Sequence, residues 1–254
     1  MVKQFAAKRR TCGLLVACTF IAALVAFLRP AHMNGRMSDA SISFQDNFTS
    51  GNLSAWQMPY REDWEILAEN GLHYLHMIRS RPPAVPRRPI QFARLKNVRV
   101  GSFDLEAKVR RDGGSMMVVF NYVDSLHFYY VHLSKDRGTS TFPHNGLFIV
   151  NGAPRRRIAG AGAAPALPDR NWHTVRIVRN VRSGSIKVYM DGETRLRFSV
   201  VNHAFTCGQI GLGSFDETGD FTDIRLRSHD AGCHPAAKIA GSKPHAPLAL
   251  RSRL

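Results

Sequence analysis

From residue 42 onward, hydrophobic and polar positions alternate along much of this chain. Phe103, Leu105, Ala107 and Val109 are interleaved with Asp104, Glu106 and Lys108. A period of two places one set on each face of an extended strand, one face buried and the other solvated. Residues 116–123 and 126–133 are continuous apolar or aromatic runs and predict central strands. In the second run, Phe128, Tyr130, His132 and Ser134 share a face, with His127, Tyr129 and Val131 on the other. Further strands are predicted at 42–44, 64–67, 71–76, 208–214 and 221–227, whereas 81–86 (RPPAVP) reads as a stiff, strand-free loop.

The stretch NWHTVRIVRNVRSGSIKVYMDGE, residues 171–193, repeats the alternation twice, and a third run follows it. His173, Val175 and Ile177 share one face, and Trp172, Thr174, Arg176 and Val178 the other. After the turn at Arg182-Ser183-Gly184, Ile186, Val188 and Met190 alternate with Lys187, Tyr189 and Asp191. Asp191-Gly192 predicts a two-residue hairpin turn, because both residues tolerate positive φ. Leu196, Phe198 and Val200 continue as the third strand of a meander, and Trp172, as a large aromatic, is expected in the core. No helical periodicity of useful length follows residue 28. Many short strands with turns at this spacing predict an all-β jelly-roll sandwich of two antiparallel sheets.

The ends differ from the middle. Lys8-Arg9-Arg10 precede an apolar run, 13–28, that Arg29-Pro30 closes. That polarity is read by the export machinery, and the run is slightly short of the roughly 20 residues that span a bilayer comfortably. Residues 1–40 are therefore expected to be a cleaved signal peptide, or a retained membrane anchor, plus a polar linker. Residues 41–229 form the domain, and 230–254, rich in Pro, Ala, Lys and Arg, a basic disordered tail. The expected location is extracytoplasmic: periplasmic, extracellular or membrane-anchored. The net charge of +16 favours anionic partners such as acidic glycans. Nucleic acid is disfavoured for an exported chain without a recognition motif. Beyond the leader only Cys207 and Cys233 remain, either as one disulfide or as two thiols.

Four segments together carry a family resemblance: FQDNFTSGNLSAW (44–56), VVFNYVDSLHFYYVHLS (118–134), the 171–193 stretch, and GQIGLGSFDETGDFTDIRL (208–226). In this order they resemble the concanavalin A-like, laminin-G-like jelly-roll family. The similarity is greatest to bacterial 3-keto-disaccharide hydrolase-like and family 16 hydrolase-like domains. The resemblance covers about residues 42–228 and implies a sandwich whose concave sheet is a glycan platform. It also implies a structural calcium where first and last strands meet, with Asp46 and Asp223 matching the opening and closing phrases. The alternative reading of these two is as turn-capping residues. The Glu-x-Asp-x-Glu strand of the family's retaining glucanases is absent. Asp104 and Glu106 come nearest, and they read as a solvated face beside Lys108.

A sugar platform needs aromatic rings for C–H faces and planar polar groups for hydroxyls. Tyr130 and His132 offer both on one strand, and His144, Asn145 and Arg155 follow in the next segments; these five are the candidate ligand-binding residues. The competing reading makes Tyr130 core, His132 locally satisfied and the Arg155-Arg156-Arg157 run solvated. The expected function is an exported carbohydrate-binding β-sandwich of the cell envelope. The alternative is a glycoside or keto-sugar hydrolase drawing acid/base groups from His132, His144 or Asp124.

Overall fold

The structure is a computed structural model that describes residues 41–139, 144–228 and 233. The expected signal or anchor with its linker lies outside the described residues, as does the basic tail apart from Cys233. Fifteen strands follow in order: β1 (Ile42–Asp46), β2 (Trp56–Gln57), β3 (Trp64–Glu69), β4 (Leu72–Met77), β5 (Gln91–Leu95), β6 (Phe103–Arg111), β7 (Ser115–Asp124), β8 (His127–Ser134), β9 (Gly146–Asn151), β10 (Arg156–Ala159), β11 (His173–Asn180), β12 (Ser185–Met190), β13 (Phe198–Val201), β14 (Gln209–Ser214) and β15 (Gly219–Ser228). Among the described residues the one helical element is a 3₁₀ turn, Arg61–Asp63.

The strands form two antiparallel sheets. One runs β10-β9-β8-β7-β14-β5-β2. The other runs β13-β12-β11-β6-β15-β4-β3, with β1 pairing the end of β15. The β6 alternation is realised in full: Phe103, Leu105, Ala107 and Val109 are buried between the sheets, while Asp104, Glu106 and Lys108 face outward. Facing them across the core are Met116, Val118 and Phe120 of β7 and Tyr129, Val131 and Leu133 of β8. Such burial removes a full apolar face of each sheet from water, at roughly 25 cal/mol per Å².

The continuous runs in β7 and β8 have a different cause. Their other face carries a second apolar layer on the outside of the seven-stranded sheet: Met117, Val119, Phe128, Tyr130, Phe148 and Val150, joined by Phe92, Tyr122 and Phe215. Pairing puts Val119 beside Tyr130 and Tyr130 beside Phe148. The segment between β4 and β5, which contains the Pro-rich stretch, reaches over this layer. Arg88 Nε donates to the Ser125 carbonyl (2.9 Å), and the Arg155 amide donates to the Arg87 carbonyl (2.8 Å). Its root is tied to a fully buried carboxylate, Asp63, which accepts from Arg81 (2.9 Å, and again through Nε) and from Gln91 Nε2 (2.7 Å).

The meander differs from the expected one in two respects. Asp191 and Gly192 do take positive φ, +51° and +71°, and the Glu193 amide closes the turn on the Met190 carbonyl. However, pairing resumes only at Phe198, opposite Val188, so the connection is longer than a two-residue hairpin. The Asp191 carboxylate is turned instead toward β11, where it accepts from the Thr174 amide at 2.8 Å and pairs with His173 Nδ1 at 2.9 Å. Trp172 is not in the core: it is half-buried and packs against Tyr74, whereas Val175 and Ile177 fill the core side of β11. The alternation of β11, not the size of the side chain, decides which face it takes.

Cys207 and Cys233 are bridged, with Cα atoms 5.6 Å apart, tying the start of β14 to the chain just beyond β15.

Candidate functional site

The outer face of the seven-stranded sheet gathers the first candidate residues because β8 presents Tyr130 and His132 on one side. Tyr130 lies flat on Phe148, with ring centroids 5.1 Å apart and planes at 13°. His132 lies near-parallel to Phe215, at 6.0 Å. Arg155, arriving from the turn between β9 and β10, sets its guanidinium over Phe215 (4.1 Å) and Phe148 (4.8 Å). It also donates to Tyr130 Oη (3.1 Å) and to His132 Nδ1 (3.2 Å). Arg87 stands over the same Phe215 ring at 4.8 Å. Among the described residues, neither Arg87 nor Arg155 has a carboxylate within ion-pair distance.

This arrangement fixes the chemistry of His132. A guanidinium has only donors, so Nδ1 must accept and the ring proton sits on Nε2. From there it is donated to Ser115 Oγ at 2.8 Å. Burial, then the charge of Arg155, then His144 hold His132 well below the ordinary histidine range, so the ring is neutral. Burial likewise pushes the Tyr130 phenol up against the opposing pull of Arg155. With its proton on the nitrogen that faces Ser115, His132 cannot take a proton from that hydroxyl. The Ser115–His132 contact is therefore not an activated nucleophile.

The five expected ligand residues are only partly brought together, and the face they share is closed. Tyr130 and His132 are 0% and 1% exposed, covered by Arg155, Phe148 and Phe215. Tyr130 offers no open stacking surface. Asn145 is buried and structural: it holds the Ser134 amide and the Ala164 carbonyl (2.7 Å). His144 remains half-exposed, with its ring 5.9 Å from His132 and its Nδ1 3.4 Å from Asp136. The expected acid/base trio is split. Asp124 sits at the other end of β8, where it caps the Leu126 amide and pairs with His127, both at 2.8 Å or less.

What stays open is a pocket of about 160 Å³ at the end of the sheet, beside His132 and His144, walled by Ser115, Ser134, Lys135, Asp136, Asp216 and Glu217. Three of these carboxylates come from loops with no periodicity, and sequence reasoning missed them. The only signal was their position directly after β8 and β14. Arg94, over Tyr122 at 4.5 Å, extends the line of guanidinium groups along the same face.

The two residues expected at a calcium site, Asp46 and Asp223, stand where β1 pairs with β15, and each has a protein partner. Both oxygens of Asp46 already accept from N–H donors, one from the Phe48 amide and one from Trp56 Nε1, each at 2.8 Å. Asp223 pairs with Lys108 at 2.7 Å. Both border one shallow depression, together with Gln45, Asn47, Thr49 and Ser50. No group of three or more His, Cys, Asp or Glu among the described residues could hold a metal. No described helix is long and apolar enough to cross a membrane.

Comparison with known structures finds similar β-sandwich folds. The chain is similar to the carbohydrate binding module CBM66 from Bacillus subtilis, with a TM-score of 0.50 and 16% identity over 70% of this chain and 98% of that one. It is also similar to a mutant of the GH43 protein BlXynB from Bacillus licheniformis, with a TM-score of 0.52 and 12% identity over 72% of this chain. It spans only 39% of the latter protein. No protein-family model and no curated protein matches the chain. At these identities the likeness is one of fold.

Proposed function

We propose that this protein is a carbohydrate-binding β-sandwich of the cell envelope whose ligand is an acidic glycan. The ligand is held at the Arg155 and Arg87 guanidinium groups over Phe215. One observation carries the reading: two guanidinium groups share the Phe215 ring, and among the described residues neither has a carboxylate at ion-pair distance. A sugar carboxylate or sulfate supplies the missing charge, because a guanidinium binds two oxygens of such an anion through paired N–H groups. His144, Ser115 and Lys135 at the pocket rim then meet hydroxyls. Residues 1–40 serve as the export signal or, uncleaved, as the membrane anchor, in keeping with their Lys8-Arg9-Arg10 and apolar run.

The hydrolase reading draws on Asp136, Asp216 and Glu217 around the same pocket rather than on His132, which is locked in the wrong tautomer. A glycan array probed with the full chain tests both. Binding to uronate- or sulfate-bearing glycans that weakens at least tenfold in Arg155→Ala, and fades with salt, supports the proposal. Retained affinity in Arg155→Ala and Arg87→Ala would overturn it. Product analysis of each bound glycan separates binding from hydrolysis.

A further inference from the structure

The outer face of the other sheet holds an aromatic cluster that the acidic-glycan reading leaves unused. Trp172 is half-buried there, its ring edge-on to Tyr74 at 5.6 Å. Arg110 of β6 lays its guanidinium over both rings, 4.7 Å from Trp172 and 5.1 Å from Tyr74. That guanidinium is itself fixed, Nε donating to Asp220 (2.7 Å) and Nη1 to Glu69 (2.8 Å). Asp220 is 2% exposed, and its second oxygen pairs with His76 Nδ1 at 2.7 Å. Burial pulls the Arg110 charge down, but the two carboxylates outweigh it and hold the group protonated.

The indole is also held from behind. His173 is clamped between Asp169 (3.0 Å) and Asp191 (2.9 Å), and the Asn171 amide donates to Asp169 at 2.7 Å. Both neighbours of Trp172 are thus fixed, so ordering the ring on binding costs little conformational entropy. A role confined to packing does not need such an anchor on a solvent-facing residue. Nor does it account for the unused hydrogen-bonding groups around the ring. Among the described residues, the Trp172 indole N–H has no acceptor and the second ring nitrogen of His76 has no partner.

We propose that Trp172, Tyr74, Arg110, His76 and Glu69 form a second saccharide platform, separate from the Arg155 end, for an uncharged sugar ring. The indole supplies the surface for the C–H face, while the indole N–H, His76 and Glu69 supply directional contacts for hydroxyls. The charge argument sets the ligand class. Arg110 is balanced by Asp220 and Glu69, so this face offers no net attraction for an anion, unlike the guanidinium pair at Phe215.

The test uses an internal probe. The chain has three Trp, and Trp56 and Trp64 are buried, at 5% and 2% exposure. Ligand-induced fluorescence change and protection from N-bromosuccinimide therefore report on Trp172. The full chain, Trp172→Ala, Trp172→Phe and Arg155→Ala are applied to an array of uncharged and acidic glycans, with circular dichroism of each variant. Expected are uncharged hits that protect Trp172, weaken by about tenfold or more in Trp172→Ala, recover in part in Trp172→Phe and persist in Arg155→Ala. Should Trp172→Ala fail to fold, the protection assay on the wild type decides. No uncharged hit, or hits that leave Trp172 unprotected or survive Trp172→Ala, would overturn the proposal. Loss of acidic-glycan binding in Arg155→Ala alone reports on the other face, so the two readings fail separately.

Discussion

Replacing Arg155 with Ala removes one side chain that serves four partners on the outer face of the seven-stranded sheet. Two of them, Tyr130 Oη and His132 Nδ1, belong to residues 0% and 1% exposed. Each loses its hydrogen bond and is left without a protein partner, and such orphaned buried groups cost about 1–3 kcal/mol apiece. The guanidinium stacking on Phe148 and Phe215 adds about 0.5–1 kcal/mol for a half-buried cation. Water entering the vacated space satisfies part of the loss, so the net destabilisation is expected at about 2–4 kcal/mol. With a urea m-value of about 3 kcal/mol/M, the midpoint falls by about 1 M. Tyr130→Phe resolves the mechanism: with no hydroxyl to orphan, the same Arg155→Ala change should cost about 1 kcal/mol less. Equilibrium urea unfolding of the wild type, both single variants and the double variant measures this coupling. A midpoint shift under 0.3 M, or strict additivity, would refute the reasoning and leave Arg155 as a solvated surface charge.

Acid should expose the state of His132. Its folded pKa is depressed, so below about pH 6.5 the unfolded chain takes up a proton that the folded one refuses, and stability is lost as pH falls through that value. The slope from this site approaches about 1.4 kcal/mol per pH unit. His132→Gln should flatten the pH dependence of the urea midpoint between pH 7.5 and 5, and an unchanged profile would contradict a buried neutral ring. Replacing Cys207 and Cys233 with Ser opens a loop spanning 26 positions. The chain-entropy model gives a loss of about 3.5 kcal/mol, checked by unfolding of oxidised wild type against the variant. Asp63→Ala leaves Arg81 and Gln91 without their buried acceptor and should cost about 3–5 kcal/mol. Amide exchange should then rise first in the segment over the outer sheet face; uniform acceleration along the chain would show that Asp63 does not pin that segment.

Alternation made the sheets legible because it is a local property. In β6 and β8 it told correctly which side chains share a face. It could not tell whether a face is covered, since the cover comes from residues distant in sequence. The Pro-rich stretch reads as a stiff loop, and nothing local says that Arg81 will find Asp63, or that Arg155 and Phe215 will close over Tyr130 and His132. Hence Tyr130 and His132 were brought together as expected but sealed. The continuous apolar character of 126–133 was itself the warning, because a platform open to water has no reason to be apolar on both faces. Trp172 failed in the opposite direction. Its own strand places it opposite Val175 and so outside, and that geometry outweighs its hydrophobicity. Asp46 follows local chemistry as well. An Asp two residues before an amide it can cap is satisfied within its own turn, and its second oxygen goes to Trp56, ten positions on. The pocket carboxylates Asp136, Asp216 and Glu217 were beyond reach for a simpler reason. They lie in loops, where only the pairing of β7 with β8 and β14 decides which side chains converge, and that pairing is a property of the finished sheet.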